Sequence, residues 1–182
     1  MTARLLLLYA RSRQVPAAAA TVVTGFAALA LLDGGPHVTA FAAALGTAVV
    51  ATGLGGHDLA LDRTAAFGWP PRRAAHLLLG GAVVTALLLA AGLVAEHAFV
   101  LRDVVGLGGL AALAAVVLGA RAAWALPVGW TGVTLVVPPG ADWPTRLLTW
   151  PVQPTGTTSA TVTAVVLGCT GLLSYSWFGC RR

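Results

Sequence analysis

"HLLLGGAVVTALLLAAGLVA", residues 76–95, runs for 20 residues without a charged side chain, between Arg72 and Arg73 on one side and Glu96 on the other. Wound as an α-helix at about 1.5 Å per residue, such a run matches the roughly 30 Å hydrocarbon core of a bilayer. The bilayer core offers no water to backbone N–H and C=O groups, so a spanning segment satisfies them internally, as a helix or within a closed barrel. The alternation of a barrel strand is missing here and in the rest of the chain. The stretch therefore decides the fold class: all-α, and built for a membrane.

The composition extends this reading to the whole chain. Of 182 residues, 58% are hydrophobic and only 9% charged, against about 25% charged in an average soluble domain. Further apolar segments occupy 16–32, 38–54, 104–120, 122–137 and 157–178. With 76–95 they give six predicted spans in one bundle, a single transmembrane domain over residues 1–182. The fifth segment, "AAWALPVGWTGVTLVV", is interrupted by Pro127, Gly129 and Gly132. Five spans plus a re-entrant segment is the competing arrangement.

The net charge of +5 comes from 11 basic residues, all of them arginine, against six acids. No arginine-rich run is interleaved with aromatics, which argues against nucleic acid as a partner. The arginines follow topology instead. With six spans and a cytoplasmic N-terminus, Arg4, Arg11, Arg13, Arg63, Arg72, Arg73, Arg121, Arg181 and Arg182 fall inside, and only Arg102 and Arg146 outside. Both termini are therefore expected in the cytoplasm. Asp33, Glu96, Asp103 and Asp142 fall on the outer side.

Two flanking segments have local character. Residues 1–15, "MTARLLLLYARSRQV", read as an amphipathic segment lying in the headgroup boundary, or as an ordinary basic flank that orients the protein. The "ALA" at 28–30 also fits a signal-peptide cleavage site, although a retained first span is expected. In the outer interfacial segment, 138–156, Asp142 can cap a short helix and pair with Arg146, while Trp143 and Trp150, seven residues apart, lie on nearly one face. They are expected to serve as aromatic anchors at the interface.

The densest charge lies in the predicted cytoplasmic loop, 56–75, within "GGHDLALDRTAAFGWPPRRAAH". Asp58 can cap a short helix running to about Gly68, which Trp69, Pro70 and Pro71 then end. Ala60, Leu61, Thr64, Ala65, Phe67 and Gly68 share one face of it, and Asp58, Asp62 and Arg63 the other. Such a helix suits docking into a cytosolic partner, through its charged face or with Phe67 as anchor. The competing reading is a polar loop that keeps two spans apart.

A surface segment before span one, six spans with both ends inside, a short helix between spans two and three, and a longer outer segment before span six together resemble ABC exporter permeases of the second type. "DLALDRTAAFGWPPRRAAHLL" is similar to the first cytoplasmic loop of small actinobacterial permeases of that kind. The resemblance implies a bacterial plasma membrane protein in which Asp58, Asp62, Arg63 and Phe67 couple to a separate cytosolic ATPase subunit, as a homo- or hetero-oligomer with another membrane subunit. It also implies an outer gate at Trp143 and Trp150.

The ATP site is expected elsewhere, because a P-loop needs a lysine to reach the phosphates and the chain has none. No Gly-x-Ser-x-Gly, His-Glu-x-x-His or Cys-x-x-Cys is present, so an enzyme is not expected. His37, His57, His76 and His97 all fall at span ends or in loops, which disfavours haem; no cofactor and no metal is expected. Cys169 and Cys180, about 16 Å apart along one helix, are too distant for a mutual disulfide. No ionisable residue is placed in the middle of a span, so a transported substance is expected to be apolar or amphiphilic. Small residues such as Ala42 with Gly46, or Ala115 with Gly119, are expected to pack the helices. Two function classes follow: a permease subunit driven by a separate ATPase, or a non-transporting integral subunit that packs against or regulates another membrane complex.

Overall fold

The computed structural model describes residues 34–54, 69–92 and 96–181, and every regular element among them is helical. The first, α1, runs from Pro36–Thr52 and begins on a proline, whose missing N–H would have no acceptor in a first turn anyway. Its alanines, Gly46, Thr39 and Thr47 are buried, so α1 is enclosed by its neighbours. The buried Thr47 hydroxyl donates back to the carbonyls of Ala43 and Ala44, which removes its need for any other acceptor.

The second helix, α2, spans Trp69–Ala91. Trp69, Pro70 and Pro71 open it, so residues 69–75 of the predicted loop belong to α2. The reason is the same first-turn tolerance of proline. It closes at Gly92, whose φ of 63° is the left-handed conformation that ends helices. α3, His97–Val117, starts well before the predicted 104 and becomes the central element, packed by α1, α2 and the last helix, α6, Thr158–Phe178.

α3 and α6 touch backbone to backbone. A side chain at Gly109 would meet the Leu167 carbonyl, one at Gly171 would meet Gly109 itself, and one at Gly168 would meet Val105. Glycine at these positions is what lets the helices close. The predicted pair Ala115 with Gly119 works differently: Gly119 lies beyond the end of α3, with φ 90°, and its missing side chain admits the Arg181 carbonyl.

Between α3 and α6 come a 3-10 turn, Ala120–Ala122, then α4, Ala125–Val136, α5, Trp143–Leu148, and a second 3-10 turn, Trp150–Val152. Twelve residues rise only about 18 Å, so α4 alone does not reach across a bilayer. The chain nevertheless passes along the bundle here. The Ala120–Ala122 turn follows the C-terminal end of α3, whereas Trp150 packs on Gly106 in its N-terminal half. The segment 138–156 then folds back, since the Trp130 indole N–H donates to the Leu148 carbonyl, bringing the end of α5 beside the middle of α4.

Three of these helices are long and apolar enough to cross a membrane: Pro70–Ala91, His97–Val117 and Thr158–Phe178. α1, at 17 residues, is apolar but shorter. The predicted first span, the 1–15 segment and residues 55–68 lie outside the described residues.

Candidate functional site

The early start of α3 carries Arg102 and Asp103 into the protein. Sequence alone placed both outside a span that began at 104. In the structure they lie in its second turn and are 7% and 0% exposed. The correction has a physical cause: the segment from His97 to Leu101 is apolar enough to join the helix, and the two charges are neutralised within it. The Arg102 Nε–H donates to Asp103 Oδ1 at 3.2 Å. Its other nitrogens donate to the carbonyls of Gln153 at 2.8 Å, Pro151 at 3.0 Å and Pro154 at 3.3 Å. The guanidinium also lies over the Phe99 ring, 4.6 Å from its centre, a favourable cation–π contact.

Two of the three carbonyls, those of Pro151 and Gln153, have no other donor among the described residues. Pro151 and Pro154 prevent a continuous helix, so among the described residues the Pro151 and Gln153 carbonyls meet no backbone N–H, while that of Pro154 also accepts from the Thr157 N–H. Irregular backbone within a membrane protein is tolerated only where the protein itself supplies partners. The planar fork of Arg102 supplies several at once. It thus fastens the turn before α6 to α3.

Three buried side-chain atoms near this clasp have no hydrogen-bond partner: Thr39 Oγ1, Asp103 Oδ2 and Trp150 Nε1. Helices α1 and α3 run side by side, with the Thr47 methyl in contact range of Gly108. Equal rise then sets Thr39 near the level of Val100, within about one turn of Asp103. Trp150, over Gly106, is about one turn further along.

Trp150 is 0% exposed and Trp143 is 76% exposed. The expectation that both share one face fails because the helix stops at Leu148 and a 3-10 turn re-aims the chain, driving the second indole into the bundle. Gly106 makes the room, since any side chain there would meet the Trp150 ring. Asp142 caps α5 as expected: its carboxylate accepts from the Thr145 N–H and hydroxyl. Those donors hold the Asp142 carboxyl below its ordinary pKa. Asp58, Asp62, Arg63 and Phe67 lie outside the described residues.

A second feature opens between α2, α3 and α6, where the exposed helix α2 stands partly away from its neighbours. An apolar cleft of about 330 Å³ is lined there by Leu78, Gly81, Thr85, Leu101, Val105 and Leu172, among others. Cys169 borders it. Leu101, Val104 and Val105 face this cleft, while Arg102 and Asp103 turn toward the clasp. The charged pair and the cleft are thus separated on the surface of one helix.

The sequence carries one signal of the buried pair. "HAFVL", between Glu96 and Arg102, can extend the helix by more than a turn, and Arg102 next to Asp103 adds no net charge. Fold and composition define the class as an all-helical protein with three helices long and apolar enough to cross a membrane, which is the character of a membrane-embedded protein. No family model, curated protein or solved structure matches the chain.

Proposed function

We propose that the chain is the membrane-spanning subunit of an ATP-driven exporter in a bacterial plasma membrane, moving an apolar or amphiphilic substance. The observation that carries this reading is the apolar cleft between α2, α3 and α6, wide enough for part of an acyl chain or a hydrophobic ring. The ionisable residues of α3 point away from it, which leaves no charge on its described lining. Energy comes from a separate cytosolic ATPase, since a chain without lysine has no P-loop lysine to offer a nucleotide. Asp58, Asp62, Arg63 and Phe67 form the coupling surface in this reading, and the arginine-rich end faces the cytoplasm. No catalytic chemistry is assigned to the chain itself.

Purification from its native membrane after mild solubilisation tests the assignment. A stoichiometric ATPase is expected to accompany the wild-type chain. The triple substitution Asp62→Ala, Arg63→Ala, Phe67→Ala should weaken its retention at least tenfold and abolish amphiphile-stimulated ATP hydrolysis, with insertion unchanged. A stable membrane complex that contains no ATPase would overturn the exporter reading and establish a non-transporting subunit instead.

A further inference from the structure

We infer that the end of the bundle opposite the Arg102 clasp carries a binding site for the headgroup of an anionic phospholipid, formed by Arg73, Arg121 and Arg181 around the C-terminal tail. The tail is held in place by its backbone. The Arg181 N–H donates to the Ala115 carbonyl at 3.0 Å, and its guanidinium to the Val117 carbonyl at 3.2 Å. Gly119, in a left-handed conformation, allows the Arg181 carbonyl to approach. Gly179, with φ 71°, does the same for Arg73: a side chain there would lie 2.7 Å from the guanidinium carbon. Two glycines thus draw α2, the 3-10 turn bearing Arg121 and the tail into one corner.

The charge of this corner is uncompensated by the described residues. Among the described residues, neither Arg73 nor Arg121 makes a hydrogen bond, and Arg121 is exposed. Arg181 uses one nitrogen on Val117 and keeps further donors. The described acids, Glu96, Asp103 and Asp142, all belong to the other end. Three guanidinium groups with no carboxylate beside them among the described residues suit a phosphate oxyanion, which accepts the bidentate hydrogen bonds that arginine offers. Trp177, Phe178 and Trp124 are exposed beside these arginines. Exposed aromatics at a helix end mark the headgroup level of a bilayer. The phosphate at that depth belongs to a lipid, whose acyl chains then run along the bare apolar surface of α6.

The test uses the full chain purified in a neutral detergent, with binding followed by displacement of a fluorescent phosphatidylglycerol. Saturable binding of phosphatidylglycerol over phosphatidylcholine is expected. At about 1 kcal/mol for each arginine, R73Q with R121Q should weaken it roughly thirty-fold. R146Q, at the other end, should leave it unchanged. R73K with R121K, which keeps the charge and loses the bidentate fork, should fall between the wild type and the double glutamine variant. If the double glutamine variant does not fold, R121Q alone, at an exposed position, should still cost about fivefold. Equal affinity for the two lipids, or wild-type affinity in R121Q, would overturn the site. So would full displacement by millimolar inorganic phosphate, which would show a free-anion site, or loss of the lipid preference once an acidic protein is bound there instead.

Discussion

Arg102 shows how much one side chain can organise. Removing it as Arg102→Gln leaves Asp103 buried without its ion-pair partner, and strips donors from the carbonyls of Pro151, Gln153 and Pro154. Breaking one partner out of a buried pair costs about 3–5 kcal/mol. Reversible unfolding in detergent should show a loss of that size. The double change Arg102→Leu, Asp103→Leu should cost less than the sum of the two singles, because no lone charge is then buried. A loss under about 1 kcal/mol in Arg102→Gln would show that the clasp is not a support. At this scale the sequence was partly legible. The cap at Asp142 was readable because Asp three residues before Thr145 is a local arrangement. The burial of Trp150 was not, because the seven-residue spacing from Trp143 assumed one unbroken helix and the break at Thr149 turned the second ring inward.

Among the elements, the crossing of α3 and α6 is the most restrictive. Gly171 faces Gly109 with no space for a side chain, so Gly171→Val must separate the two backbones. Overpacking of a tight contact costs about 1–3 kcal/mol, and that loss is expected in the same unfolding measurement. Gly108→Ala makes the contrast. Its new methyl would stand 3.8 Å from that of Thr47, an ordinary contact, and the change should be neutral or stabilising by up to about 1 kcal/mol, as glycine is a poor helix former. Equal losses for the two variants would argue against the close crossing. The apolar helices themselves were legible as long runs of high hydropathy. Their pairing was not, since Gly168 and Gly171 are three apart and stand among many small residues that pack nothing so closely. The start of α3 was misplaced for a related reason. The arginine rule treats Arg102 as a loop charge, but a neighbouring aspartate and three carbonyls cancel the cost that the rule presumes.

For the molecule as a whole, the two ends differ in charge. Arg72 and Arg73 open α2 at the end where Arg121 and Arg181 sit, while Arg102 and Arg146 belong to the other. Positive residues stay with the cytoplasm during insertion. In a background with Cys169 and Cys180 replaced by serine, Thr158→Cys should therefore react with an impermeant thiol reagent applied to intact cells. Arg182→Cys should react only after the membrane is opened. The reverse pattern would invert the proposed orientation. Hydropathy made the membrane character readable from the chain alone, whereas the fold-back of residues 138–156 depends on contacts between residues far apart in sequence.

That separation has a consequence for how the protein is made. The carbonyls that Arg102 holds come 49 to 52 residues later in the chain. At a synthesis rate of roughly 5–20 residues per second, they leave the ribosome about 3–10 seconds after Arg102 does. During that interval α3 presents a guanidinium to the insertion machinery with only Asp103 to balance it, and the helix that must close against Gly109 does not yet exist. The clasp on α3 is therefore expected to close late, only once Pro151 to Pro154 have been made, with α6 following.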